Sequence, residues 1–534
     1  MEESRDADLE GVELVIASHL ARSTIRQLIE LGVSDFILSP GSRNAPLSLA
    51  LYEASQKGLI DLHVRIDERG AAYFALGLSK ATDKYVALIC TSGTAAANYH
   101  PAALEAYHSQ SKVLFITADR PSRLRNTGAN QTTIQSGILS PLITVDTAEI
   151  LDCATVLQTG PAHLNLQFDE PLLDVEKDSD WLAGISVKES RKTIRVHGKL
   201  ELAPRTIIVI GHDCAGLPKQ LLQEVVMNSG LPVIAEDPLS FESSVPHAAL
   251  FLADEEIRKS LKADQILVIG RTTLSRSINA YIAQTENVVV IDPRIDVVDT
   301  NRQATQILLS LPFLSPIESD AQWRAIWERI GKSTQGALNL DWSEQLVARE
   351  IGKSIPSGAA LFVGSSRPVR DIEAFAAPRS GIHVFANRGL AGIDGNVSTA
   401  FGISTAFERT YSILGDLTFL HDVSALANPL SHNHTVFVID NNGGGIFSTL
   451  PQSGSDGFEK IFGTPHNLSV ELVIKGFGFS VEKVKTLSDL SRTFQHGGLH
   501  FVVVEVPNRE ENARVLRELH QSVASAVRIG SNLA

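Results

Sequence analysis

The sequence predicts an α/β protein of three domains, each a mainly parallel sheet covered by helices. Two observations carry this. Short runs of β-branched and other apolar residues recur along the chain, each followed by turn residues and a helical pattern. Strands apolar on both faces and separated by helices belong to parallel sheets covered on both sides. Two charged, irregular stretches then interrupt the rhythm and leave three blocks of comparable size. The length of 534 residues agrees, since roughly 100–200 residues per domain suggests about three or four.

The first block carries the runs Phe36-Ile37-Leu38, Val86 to Ile89 and Val113 to Ile116. The second carries Ile207 to Ile210, Ile266 to Ile269 and Val288 to Ile291, and the third Leu361 to Val363, Val436 to Ile439 and Phe501 to Val504. The breaks are the charged stretch from Asp174 to Pro204 and the segment from Pro316 to Asp341. Domains are accordingly expected at residues 1–185, 200–335 and 341–534. No short-period repeat or coiled-coil heptad is visible.

Basic residues number 47 against 61 acidic ones, a formal charge of −14. That balance argues against a broad nucleic-acid or anionic-membrane surface, while leaving room for a local basic pocket. Cys90, Cys153 and Cys214 lie far apart with no CxxC spacing, which disfavours a disulfide framework or zinc site and fits a reducing compartment. The acidic start, Met1 to Asp6, lacks the basic-then-apolar order of a signal peptide. No apolar run approaches the roughly 20 residues of a membrane span. A cytoplasmic protein is expected.

Chemistry concentrates in loops that follow strands. Gly415-Asp416-Leu417 follows Ser412-Ile413-Leu414, and Asn441-Asn442-Gly443-Gly444-Gly445 follows the run ending at Ile439. The separation, 441 − 416 = 25 positions, accommodates one helix and one strand. Both therefore sit at carboxyl ends of neighbouring parallel strands, the edge where open α/β sheets bind ligands. A carboxylate, an amide oxygen and a carbonyl in a glycine turn are the hard oxygen donors that Mg²⁺ takes alongside phosphate oxygens. Either half alone reads equally as a helix cap or a tight turn; the pairing gives it meaning.

This pairing resembles the diphosphate–magnesium motif of the thiamine diphosphate-dependent enzymes, which opens Gly-Asp-Gly and closes Asn-Asn after about two dozen residues. Leu417 stands where that family usually has glycine, and Asp440 where it often has a further asparagine. The resemblance implies the three-domain architecture of that superfamily, a pyrimidine-binding domain first and a diphosphate/Mg-binding domain last, with thiamine diphosphate and Mg²⁺ (Mn²⁺ as an alternative) as cofactors. It makes Asp416, Asn441 and Gly443 the metal ligands and adds Asn442 to the cofactor site. Glu68, in Asp67-Glu68-Arg69-Gly70 before an apolar helical run, matches the glutamate that bonds the aminopyrimidine ring and favours its imino form, which removes the thiazolium proton. The residue-level alternative is an acidic first-turn residue complementing the helix dipole. Thr91 to Asn98 and Gly160 to Leu166 also match the pyrimidine domain.

Further strand-end loops are richer in arginine: Ser39-Pro40-Gly41-Ser42-Arg43-Asn44, Ala118-Asp119-Arg120-Pro121 with Gly128 to Gln131, Ser365-Ser366-Arg367-Pro368-Val369-Arg370, and Asn387-Arg388-Gly389-Leu390-Ala391-Gly392-Ile393-Asp394-Gly395. Guanidinium forks bind carboxylates bidentately, so this set suits ligands carrying several acids. These strings resemble those of the 2-succinyl-5-enolpyruvyl-6-hydroxy-3-cyclohexene-1-carboxylate synthases, a menaquinone-pathway branch of the superfamily, over nearly the whole chain and least in the middle block. The resemblance implies decarboxylation of 2-oxoglutarate and addition of the resulting carbanion to isochorismate.

Carried over by position, it places Ser42, Arg43, Arg120, Asn130, Gln131, Arg276, Ser366, Arg370 and Arg388 against substrate, Ile393 beneath the thiazolium ring, and Phe447 and Leu450 as the apolar wall. Core packing is the simpler reading of each apolar position. It also implies a homodimer or tetramer with sites at the subunit interface. The histidines carry no assigned role; His432-Asn433-His434 reads as a polar loop, and His466 as a residue bordering the pocket. The alternatives are another 2-oxo-acid-utilising relative, acetolactate-synthase-like or a decarboxylase, and a non-catalytic nucleotide- or flavin-binding regulator. Against the last, no Gly-x-Gly-x-x-Gly follows a strand.

Overall fold

The structure, a computed structural model, describes residues 16–531 except 158–159, 174–179, 188–197, 215, 295–298, 300–301, 315–320 and 429–431. The start at Met1 to Asp6, most of the charged part of the first expected break and the opening of the second lie outside the described residues. The chain divides into two compact units, residues 1–107 with 111–191, and residues 108–110 with 192–534.

The first unit is built on β1 (Asp35–Leu38), β2 (Asp61–Val64), β3 (Val86–Cys90), β4 (Val113–Asp119), β5 (Thr144–Thr147) and β6 (Ala162–Gln167), in the order β2-β1-β3-β4-β6-β5. Every pairing is parallel. All residues of β3 and β4 are buried, which explains the apolar runs Val86 to Cys90 and Val113 to Ile116. Helices Ala17–Glu30 and Ala45–Gln56 cover one face, seating Leu20, Ile25, Leu28, Leu47 and Leu51 on Phe36, Ile89 and Ile116.

The second unit carries two larger parallel sheets. One comprises β8 (Thr206–Ile210), β9 (Val233–Ala235), β10 (Gln265–Ile269), β11 (Val288–Ile291) and β12 (Ala304–Leu308), in the order β12-β11-β10-β8-β9, with β7 (Lys199–Leu200) pairing separately with β13 (Phe313–Leu314). The other comprises β14 (Ala360–Val363), β15 (His383–Phe385), β16 (Thr410–Gly415), β17 (His434–Asp440), β18 (Val481–Val484) and β19 (Leu499–Glu505), in the order β15-β14-β16-β17-β19-β18. This repeats the order of the first unit's sheet strand for strand. In both, the second strand pairs outward of the first and the third on its other side, which places a topological switch point beside the first strand's carboxyl end.

The last helix, Arg509–Ser531, returns to the five-stranded sheet: Leu519, Val523 and Val527 pack in one core with Trp323, Trp327, Ile207 and Val268. Ala374 and Phe375 join the same core, so the middle and final sheets share buried side chains. His434 corrects the polar-loop reading: it opens β17, is 1% exposed, and bonds Ser412 Oγ through Nε2 at 2.7 Å. Burial depresses its pKa to about 3.

Candidate active site

In the first unit, the turns after β1, β3 and β4 pack together. The backbone of Gly41 lies so close to the turn after β3 that a Cβ there would meet Thr91 Cβ at 2.4 Å; only glycine fits between the loops. Arg43 follows, with its backbone N–H donating to Thr91 Oγ1 (3.3 Å), its guanidinium donating to Phe168 O (3.1 Å) and pairing with Glu170 (3.3 Å). From the end of β4, Arg120 Nη1 donates to Ser92 Oγ (2.8 Å) and Gln131 O (2.7 Å), while Gln131 Nε2 donates to Ser92 O (2.9 Å). Arg43, Arg120 and Gln131 are therefore brought together; Ser42 and Asn130 are exposed.

Burial and the charge of Arg43 lower the Arg120 pKa from its ordinary value. Two guanidiniums held this close favour an anion between them. Glu68 opens the helix Glu68–Thr82, whose N-cap Asp67 accepts from Arg69 N. It is half-buried, in a position that also suits the positive end of the helix dipole. Gln135 had no sequence signal, yet its buried amide holds the loop by accepting from Gly93 N (2.8 Å) and donating to Asn165 Oδ1 (2.8 Å).

In the second unit, Asp416 begins the short helix after β16, and Asn441 and Asn442 follow β17. Asp416 Oδ2 accepts from Gly443 N at 2.9 Å, and Oδ1 from Leu417 N at 2.6 Å. Gly443 has φ +136°, and a Cβ would sit 2.2 Å from Gly463 O, so the turn requires glycine. Asn442, at φ +60°, exchanges hydrogen bonds with Asn467: its Nδ2 donates to Asn467 Oδ1 (3.0 Å) and its Oδ1 accepts from Asn467 N (2.9 Å). Asn441 Nδ2 donates to Glu344, while Asn441 Oδ1 is buried without a hydrogen bond.

A buried carboxylate, an unsatisfied buried amide oxygen and a glycine-turn carbonyl form the donor set a hard cation needs. The residues fit the metal–diphosphate group.

Sequence reasoning gave His466 no role, but its Nε2 lies 3.2 Å from Asp416 Oδ2 and 4.0 Å from Asp440 Oδ1. The Asp416 hydrogen bond raises its pKa. No local spacing marks it: it stands 50 positions from Asp416. Glu344 was missed for the same reason. It lies under Asn441 beside Arg367, and burial raises its pKa.

A cavity of about 470 Å³ gathers Arg276, Arg367, Arg370, Ile446, Leu450 and His520. Arg276 opens the helix Arg276–Ala283 behind the Ser275 cap. Ser366 has φ +74°, and its carbonyl accepts from Arg370 Nη1 at 2.6 Å. Burial, then Arg367 and Arg388, lower the Arg370 pKa, the signature of crowded cations. Arg367 is committed to Asp371.

Arg388 lies close enough to Arg370 for the two charges to act on each other. It is 4% exposed and bound to Glu236, and it is not among the residues lining this cavity. Ile393 is half-buried in the loop before the helix Asn396–Ser404. Phe447 lies in the turn Gly445–Thr449, with its ring 5.6 Å from that of Phe462.

Three families match the chain in order: thiamine pyrophosphate enzyme, N-terminal TPP binding domain, over residues 18–138; middle domain of thiamine pyrophosphate, over 177–363; and thiamine pyrophosphate enzyme, C-terminal TPP binding domain, over 369–506. The chain is 35% identical to the 2-succinyl-5-enolpyruvyl-6-hydroxy-3-cyclohexene-1-carboxylate synthase of Thermobifida fusca, an alignment covering 95% of this chain and 99% of that protein. It is likewise 35% identical to the synthase of that name from a Nocardioides species (94% and 97% covered) and 34% identical to that of Bacillus cytotoxicus (94% and 96%). Likeness at this level over nearly the full length of both chains, on a fold with both cofactor-binding sheets present, places the protein in the 2-succinyl-5-enolpyruvyl-6-hydroxy-3-cyclohexene-1-carboxylate synthase family of thiamine diphosphate-dependent enzymes.

Proposed function

We propose that the protein decarboxylates 2-oxoglutarate and adds the four-carbon unit to isochorismate, giving 2-succinyl-5-enolpyruvyl-6-hydroxy-3-cyclohexene-1-carboxylate and CO₂ for menaquinone or phylloquinone biosynthesis. The observation that carries the reading is the donor set of Asp416, Asn441 and Gly443 at the carboxyl ends of β16 and β17. Bound there, thiamine diphosphate supplies a carbon nucleophile and a sink for the electron pair left when CO₂ departs.

The chain's own residues do the rest. Asp416, Asn441 and the Gly443 carbonyl hold Mg²⁺, or Mn²⁺ in its place, against the diphosphate, with Asn442 fixing the turn. Glu68 holds the aminopyrimidine in the tautomer that moves the first proton. Ile393 supports the ring, and Phe447 and Leu450 exclude water from the reacting centre. Arg43, Arg120, Arg276 and Arg370 receive substrate carboxylates, with Ser42, Asn130, Gln131 and Ser366 directing them; the crowding of cations around Arg120 and Arg370 supports this. Arg388, beside Arg370 and held by Glu236, belongs to the same substrate-binding set.

The pyrimidine residues belong to domain 1–185 and the metal residues to 341–534, with 200–335 lending Arg276. We assign a homodimer or tetramer with sites at the subunit interface, and a cytoplasmic location; no helix among the described residues is long and apolar enough to cross a membrane. Product analysis by mass spectrometry, with thiamine diphosphate, Mg²⁺ and 2-oxoglutarate, with and without isochorismate, tests the reading. A product containing isochorismate plus a succinyl unit, formed only with all components, is expected. Failure of a folded, cofactor-bound protein to consume 2-oxoglutarate overturns it.

A further inference from the structure

Away from Asp416, the described residues hold a second cluster of metal-ligating side chains: Glu482, His496 and His500, each offering one donor atom, all within 4.8 Å of one another. Glu482 lies on β18 opposite Val502 of β19, so the two-residue strand period puts Glu482 and His500 on the same face of the sheet. His496 follows the turn Thr493–Gln495 that leads into β19, and its ring stacks on that of His500 with centroids 3.9 Å apart and planes 28° apart. Both imidazoles thus direct Nε2 at one carboxylate oxygen of Glu482, at 3.3 Å and 3.7 Å.

His496 Nε2 is hydrogen-bonded to Glu482, whereas His500 Nε2, at 3.7 Å, is buried without a hydrogen-bond partner. The 3.3 Å separation of His496 from Glu482 matches the donor–donor edge of a tetrahedron with metal bonds of about 2.0–2.1 Å, which is roughly 3.3–3.4 Å, and the His500 separation is wider, at 3.7 Å. Two imidazoles and one carboxylate are the ligands of a borderline divalent ion, unlike the oxygen donors that Mg²⁺ requires.

We propose that Glu482, His496 and His500 form a binding site for a zinc-type divalent cation, with the fourth position open to water. The ion ties edge strand β18 to β19 and to the preceding turn, where the Phe494 carbonyl accepts from Tyr411 Oη of β16 at 2.9 Å. It is a structural clip on the sheet.

The test is a Zn²⁺ titration of the full-length protein saturated with thiamine diphosphate and Mg²⁺, read by calorimetry against a chelator of known affinity. His496 and Glu482 are part-exposed, with side-chain exposures of 42% and 36%, so His496→Ala and Glu482→Gln retain the fold, which circular dichroism checks. One Zn²⁺ equivalent bound at least tenfold more tightly by the wild type than by either variant, with turnover unchanged in both, is expected. Equal zinc affinity in the wild type and either variant overturns the site, as does a wild type that binds no zinc at micromolar concentrations.

Discussion

The Arg388 guanidinium lies 2.6 Å from Glu236, with both side chains buried, joining the loop after β15 to the end of β9. Glu236 is held in turn by His212 N, which donates to its second oxygen at 2.9 Å. Removing one member of a buried pair strands the other charge and costs about 3–5 kcal/mol. Arg388→Ala should therefore lower unfolding stability by that amount in urea, and adding Glu236→Gln should restore a large part of it. A loss below about 1 kcal/mol would show that solvent or another cation compensates Glu236.

Glu68→Gln should leave the fold and most cofactor affinity intact while reducing turnover about 10²–10⁴-fold, the range for a lost acid–base partner. Steady-state CO₂ release and calorimetric titration of thiamine diphosphate separate the two effects. Wild-type turnover would remove Glu68 from the mechanism.

Asp416→Ala should abolish Mg²⁺-dependent retention of the cofactor, because it removes a metal donor and the acceptor for Gly443 N together. Stripping Mg²⁺ with EDTA should reproduce the effect in the wild type, and re-addition should reverse it only there. Calorimetry with and without Mg²⁺ decides.

Arg276→Ala and Arg370→Ala should each raise KM for an acidic substrate about 10- to 100-fold, since hydrogen bonds to charged groups are worth about 1.5–3 kcal/mol. Cofactor affinity should not move. If it falls instead, the cavity holding these arginines serves the cofactor rather than the substrates.

Two buried histidines set an acid limit. Burial holds His434 at a pKa of about 3 and His163 at about 4, against an ordinary value of 6.5. The unfolded chain thus takes up protons below pH 6.5 that the folded chain refuses, so stability is full above that value and falls as pH drops towards 4 and 3, by up to about 1.4 kcal/mol per pH unit per group. Urea unfolding between pH 7 and 5 should show this slope, and His434→Gln should remove about half of the two histidines' share of it.

Much of this protein was written in local sequence. Runs such as Val86 to Cys90 are apolar at every position because the strand is buried on both faces, so α/β architecture was legible without coordinates. The meeting of Asp416 with the Asn441 to Gly445 turn was legible because one helix plus one strand sets two loops at neighbouring strand ends. Tertiary structure alone decided the rest. The shared strand order of the two six-stranded sheets, His466 beside Asp416, Glu344 beneath Asn441, and the burial of Arg388 on Glu236 all depend on which distant loops the fold brings together. An arginine beside glycine and asparagine reads the same whether or not a buried carboxylate holds it, because Glu236 lies 152 positions from Arg388 in sequence.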